Sequence, residues 1–152
     1  MRAGDTSTGH VVTVGLDDSL LQVARLMREH HVGDVVVVEH DPVGVRPMGI
    51  ITGRDLVVGV VAQGITDLAS VRARDAIARK LDVVTADEHV FRVMQKMAAS
   101  GVRRMPVVNG LGVLVGILSY DDVLRAVTQQ LSYLTERMAH QDEAERVRRA
   151  GH

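Results

Sequence analysis

The stretch Gly49-Ile50-Ile51-Thr52-Gly53-Arg54-Asp55 returns later in the chain as Gly116-Ile117-Leu118-Ser119-Tyr120-Asp121-Asp122. Each copy reads glycine, two apolar residues, a hydroxyl, two variable residues and an aspartate. The apolar lead suits a strand, and Thr/Ser-x-x-Asp ahead of an apolar run marks a helix start. The chain therefore holds two related strand-to-helix corners. The match extends along most of the sequence. At a shift of 70 positions, Ala3, Asp5, Val14 and Asp17 fall on Ala73, Asp75, Val84 and Asp87. Val23, Met27, Val32, Val37 and Val38 fall on Val93, Met97, Val102, Val107 and Val108. The register then slips by three before the two corners align, because the loop EHDPVGVRPM is longer than NGLGVLV. Asp41-Pro42 and Gly44 are turn signals that put the extra residues in a surface loop.

Each copy carries the same succession of elements. A short strand (Val11–Val14, Val83–Val84) precedes a helix whose apolar residues keep i, i+3, i+4, i+7 spacing: Leu20, Val23, Ala24 and Met27, then Val90, Val93, Met94 and Met97. Asp17 and Asp87 are candidate N-caps, Thr85 with Glu88 a rival capping box, and Gly33 and Gly101 candidate C-terminal glycines. Two strands follow, Val35–Glu39 with Met48–Thr52 and Met105–Val108 with Leu114–Ser119, and a second helix closes each copy at Arg54–Gln63 and from Asp121 onward. The run Val35–Val38 is apolar on both faces, which predicts a central strand covered on both sides. One such copy buries only a marginal core. The expected architecture is an α/β fold of the α+β type, with two β-α-β-β-α repeats packed sheet to sheet about a pseudo-two-fold axis. The first repeat spans 1–64, a linker 65–80 with the polar, helix-compatible VRARDAIARK, the second repeat 81–131, and a helical tail 132–152.

Composition narrows the function. The 152 residues are 46% apolar and 24% charged, which excludes a mainly disordered chain. A net charge of -1 and only three aromatic residues argue against a nucleic-acid footprint. The absence of cysteine excludes disulfides and thiolate chemistry. Apolar runs such as Val57–Ala62 are far short of the ~18 residues of a membrane span. The opening MRAGDTSTGH has no apolar signal core. A cytoplasmic protein without membrane or nucleic-acid partners is the expectation.

The corners admit two uses. Thr52 and Ser119 suit N-caps, with Asp55 and Asp122 answering the helix dipole. The same geometry suits a ligand. A helix start with a hydroxyl seats a phosphate, and a carboxylate one turn in accepts hydrogen bonds from a ribose diol. Gly49 and Gly116 permit close approach of a backbone or a flat base. Ile50-Ile51 and Ile117-Leu118 could wall an adenine ring.

With the A-x-D lead-ins (Ala3/Asp5, Ala73/Asp75), VRRMPVV at Val102–Val108 and GIITGRDL at Gly49–Leu56, the chain resembles a pair of CBS domains over about residues 3–131. The resemblance implies clefts between the repeats that bind adenosine-containing ligands such as AMP, ADP, ATP or S-adenosylmethionine. It implies that Thr52 and Ser119 meet phosphate and that Asp55 and Asp122 meet ribose. It also implies, frequently, a disc-like homodimer. The copies differ inside the motif: Arg54 favours phosphate, Asp121 repels it. The Thr52/Asp55 cleft is thus expected to take the nucleotide. The Ser119/Asp122 cleft is expected to prefer a neutral or cationic adenosyl ligand, or to stay empty. Arg103 and Arg104, whose first-copy equivalents are Gly33 and Asp34, either reach a phosphate or form an ion-paired turn.

Other motifs carry less. Gly110–Gly116 imitates a dinucleotide fingerprint but lies between two strands. His30 and His31 suit a helix C-terminus better than one metal site. No poised nucleophile with an adjacent base appears, so neither catalysis nor a required cofactor or metal is expected. Val127, Leu131, Leu134 and Met138 continue an apolar stripe into the tail. Residues 125–138 are expected to pack on a partner subunit and the charged remainder to be solvated. The composite expectation is a non-enzymatic sensor passing a ligand signal to an unidentified protein target. The alternative is a structural or assembly protein with vestigial clefts.

Overall fold

The structure, a computed structural model, describes residues 1–151. The chain runs α1 (Ala3–Thr6), β1 (Thr13–Gly15), α2 (Leu20–His30), β2 (Asp34–His40), β3 (Val45–Thr52) and α3 (Gly53–Gly59). The second half repeats it with β4 (Val84–Thr85), α4 (Val90–Ser100), β5 (Arg104–Val108), β6 (Leu114–Ser119) and α5 (Tyr120–Ala150). Short 3-10 turns occupy Val61–Gln63 and Ala73–Ala76. Each sheet has three strands, ordered β1-β2-β3 and β4-β5-β6, with a parallel pair followed by an antiparallel pair.

Side-chain alternation on the central strand builds the packing. Val35 and Val37 face α2 and α3 in the first core, with Leu20, Val23, Ile51 and Leu56. Val36 and Val38 point the other way and meet Ile117, with Ile50 and Leu114 at the edge of the same cluster. The run of valines is covered on both faces, and the two sheets pack against each other through it.

The two halves interlock through their lead-ins. Ala3, from the start of the chain, is fully buried in the core built by Val84, Val90, Val93 and Leu118. Ala73 is fully buried in the first core. Main-chain bonds fix both segments: Ala3 N–H donates to Glu88 and Gly4 to Ala86, while Ala73 donates to Asp18 and Arg74 to Leu16, all at 2.8–3.0 Å. Neither ~60-residue unit thus closes its core with its own residues, which answers the marginal burial such a unit achieves alone.

Helix ends differ from the sequence expectation at Asp17, at Asp87, at Thr85 with Glu88, at Gly33, and at the end of α3, which stops at Gly59 and gives way to the 3-10 turn Val61–Gln63. α2 is capped by Ser19, which accepts from Gln22 N–H at 3.2 Å, and α4 by His89. Asp17 instead accepts from Arg74 at 2.9 Å, and Asp18 closes a turn onto Gly15 N–H at 2.7 Å. The aspartate turn therefore precedes the helix rather than opening it. Thr85 belongs to β4, and Glu88 pairs with Lys96 at 2.7 Å rather than completing a capping box. Gly101 ends α4 in the left-handed region at φ 66°, but His31 takes that position after α2 at φ 53°, ahead of Gly33.

α5 has 31 residues, a rod of about 46 Å. Val123 is buried and Val127 packs at the edge of the second core. Leu131, Tyr133, Leu134 and Met138 are all more than half exposed. Among the described residues no helix is long and apolar enough to cross a membrane.

Candidate functional site

Both corners form complete capping boxes. Thr52 Oγ1 accepts from Asp55 N–H at 3.1 Å, and Asp55 Oδ2 accepts from Thr52 N–H at 2.8 Å. Ser119 Oγ accepts from Asp122 N–H at 3.0 Å, while Asp122 Oδ2 accepts from Ser119 N–H at 3.1 Å and from the Ser119 hydroxyl at 2.5 Å. The corners differ in what remains. Asp122 Oδ1 receives Arg125 at 3.3 Å. Asp55 Oδ1 makes no hydrogen bond among the described residues. Capping uses one oxygen of each aspartate, and the Arg125 ion pair takes the second oxygen of Asp122.

A cleft of about 890 Å³ opens between the repeats, within the span of small-molecule sites. Thr52, Arg54, Asp55, Ile50 and Asp34 line it from the first repeat. Arg103, Arg104, Ser119, Tyr120 and Asp121 line it from the second, and the segment Arg79-Lys80-Leu81-Asp82 closes a third side. Of the residues singled out in the sequence, the structure brings together Thr52, Arg54, Asp55, Ser119, Arg103 and Arg104. Asp122 borders a different recess of about 310 Å³, beside Asp5 and Arg125. Ile51 and Leu118 are fully buried in the two helix-side cores, so of the two motifs' apolar pairs only Ile50 lines the cleft, beside Leu81 and Val102. Gly49 packs under Ile77, whose side chain would lie 2.8 Å from an added Cβ. Gly116 lies under Ser7 and Thr8, and Thr8 exchanges backbone bonds with Ile117 at 2.9 and 3.0 Å. The close approach at these glycines is made by the chain itself.

The cleft's charges are unevenly engaged. Five cations (Arg54, Arg79, Lys80, Arg103, Arg104) face four carboxylates (Asp34, Asp55, Asp82, Asp121). Arg104 pairs with Asp34 at 2.6 Å, and Arg103 with Asp121 at 3.6 Å. Asp82 accepts from the Ser100 hydroxyl at 2.7 Å. Arg54, Arg79 and Lys80 have no ion-pair partner among the described residues; Arg79 donates to the Ser100 carbonyl at 3.4 Å, and Arg54 and Lys80 make no side-chain hydrogen bond there. Burial pushes the Asp34 carboxyl above the usual carboxylate range, and the charge and hydrogen bond of Arg104 pull it part of the way back.

Asp34, Lys80 and Asp82 escaped the sequence reading. Arg79-Lys80 was visible as a basic pair, but within a segment read as a tether. Among the described residues no three His, Asp or Glu side chains gather as a metal site. His30 sits 6.2 Å from the ring of His10, and His89 stacks on Phe91.

A family model described as the CBS domain matches residues 3–61 and again 73–129. An uncharacterised protein of Methanopyrus kandleri is 34% identical over 135 residues, covering 89% of this chain and 67% of its own length. A CBS domain protein of Pyrobaculum aerophilum, solved in complex with AMP, superposes with a TM-score of 0.74 at 27% identity, over 88% of this chain and 99% of that one. A hexameric CBS-CP12 protein from bloom-forming cyanobacteria superposes with a TM-score of 0.68 at 29% identity, over 82% and 69% of the two chains.

Proposed function

The chain belongs to the CBS-domain family as a tandem pair, and from that premise we propose that it is a non-enzymatic regulatory module whose cleft at Thr52 and Asp55 takes an adenine nucleotide. Asp55 Oδ1, left over from the capping box, accepts a ribose hydroxyl. Arg54 and Lys80 take the phosphate beside the Thr52 hydroxyl, as charge-assisted bonds favour. Ile50 and Leu81 supply apolar contact for the base. AMP, ADP and ATP all fit this chemistry. Asp122, whose two oxygens are engaged, serves a neutral or cationic adenosyl group such as S-adenosylmethionine, or serves the fold alone.

The observation that carries this reading is that, among the described residues, Arg54 and Lys80 are without partners next to the one corner carboxylate with an unused oxygen. The relative solved with AMP supports the ligand class. Among the described residues no histidine or cysteine lines the cleft, so its hydroxyls (Thr52, Ser100, Ser119, Tyr120) have no imidazole or thiolate base beside them, and the module senses rather than transforms. Because both repeats line the cleft, a ligand that contacts both favours one relative arrangement of them, which a cytoplasmic protein target can read.

A second copy of the chain is the partner proposed for α5. Leu131, Leu134 and Met138 recur at the spacing of a two-helix seam, and in a parallel pair Arg137 would face Asp142 of the other copy.

Calorimetry with AMP, ATP and S-adenosylmethionine tests the nucleotide reading. One AMP or ATP should bind per chain, and Arg54→Ala should weaken either by about tenfold. Absence of heat and of any melting shift with all three ligands would leave the assembly reading in its place.

A further inference from the structure

Asp34 and Arg104 hold the same place in the two repeats. Asp34 opens β2 opposite Thr52, and Arg104 opens β5 opposite Ser119. The preceding residues match too: Gly33 C=O accepts from Gly53 N–H at 2.9 Å, and Arg103 C=O from Tyr120 N–H at 2.8 Å. Two equivalent positions that touch must lie beside the pseudo-two-fold axis. Identical charges there would repel; the two positions instead carry opposite charges, joined at 2.6 Å. Both side chains line the nucleotide cleft. The Asp34 side chain is 15% exposed and Arg104 45% exposed, so the guanidinium keeps free surface toward the cleft and the carboxylate has little.

We propose that Asp34 is a specificity-determining residue that competes with the ligand's phosphate for Arg104. An incoming phosphate gains Arg104 only by displacing Asp34, or by sharing the guanidinium with a carboxylate that repels it. Asp34 thereby sets how strongly anionic a ligand must be to fill the cleft, while an uncharged adenosine is indifferent to it. The exchange also ties occupancy to the join between the repeats, since the bond given up is one that crosses the axis. This inference rests on the nucleotide reading of the cleft.

The test is calorimetric titration of wild type, Asp34→Asn and Arg104→Lys with AMP and with adenosine. Asparagine keeps the shape of Asp34 and removes its charge, so AMP should bind about tenfold more tightly, with adenosine unchanged. Arg104→Lys keeps the charge but loses the planar fork that can serve two oxygens. It should weaken AMP and leave adenosine alone, and it supplies the answer if Asp34→Asn does not fold. Equal or weaker AMP binding by Asp34→Asn would overturn the proposal while the nucleotide reading stands. So would an equal gain for adenosine, or an Arg104→Lys variant that binds AMP as wild type does. Failure of wild type to bind either AMP or ATP would remove both.

Discussion

Arg104→Met should cost more stability than Asp34→Asn, although the two residues form a single ion pair. The reason is their unequal burial. Removing Arg104 leaves a carboxylate that is 15% exposed without its partner, whereas removing the charge of Asp34 leaves a guanidinium 45% exposed and hydrated. Breaking a fully buried pair costs about 3–5 kcal/mol, and an exposed pair contributes about 0.2–1 kcal/mol. With one partner buried and the other half-exposed, we expect about 2 kcal/mol for Arg104→Met and about 1 kcal/mol or less for Asp34→Asn. The double variant should cost less than the sum, since the carboxylate stranded by the first change is neutralised by the second. Urea unfolding at neutral pH measures all three.

The pH dependence follows from the direction of the Asp34 shift. Its carboxyl is raised above the ordinary value of 3.8 by burial, against the pull of Arg104. In Arg104→Met that pull is gone, so the native-state value rises further. The native state then takes up a proton at a pH where the unfolded chain does not, and stability is gained as pH falls through the native value. The deficit of Arg104→Met relative to wild type should therefore shrink on acidification from neutral pH. A deficit that grows, or an Asp34→Asn variant less stable than Arg104→Met, would show that burial of the Asp34 charge does not set the balance.

Three further outcomes follow from the corners, the glycines and the tail. Asp55→Ala and Asp122→Ala each break a capping box and should cost about 1 kcal/mol in thermal unfolding, with Asp122→Ala the costlier because its carboxylate also holds the Ser119 hydroxyl and Arg125. Gly116→Ala should destabilise by about 1–3 kcal/mol, and by more than Gly49→Ala. The new Cβ at 116 meets the Thr8 backbone oxygen at 3.0 Å, whereas the one at 49 meets only the Ile77 side chain. Deleting residues 132–152 should halve the particle mass in light scattering if α5 joins two copies, and an unchanged number of chains per particle would remove that role.

The repeat made most of the fold legible, because apolar spacing and turn residues act locally and each corner appears twice. The strand and helix order, the central valine strand and the capping function of Thr52 and Ser119 were all visible in this way. What stayed hidden depended on contacts distant in sequence. Nothing local says that Ala3 closes the second core and Ala73 the first. Asp17 looks like an N-cap until Arg74, far along the chain, claims its carboxylate. The equivalence of Asp34 and Arg104 is visible in the repeat, but their contact follows only once the pseudo-axis is placed between them. Likewise Ile51 and Leu118 share the motif with Ile50 and Ile117, and only the pleat decides which of each pair turns inward to a helix.

A crystal structure grown with saturating ATP would show whether the cleft between the repeats holds a nucleotide. The account predicts one nucleotide between the repeats, its ribose within hydrogen-bond distance of Asp55 Oδ1 and its phosphates on Arg54 and Lys80. An empty cleft, or a ribose held by Asp122 with Arg54 turned to solvent, would contradict it.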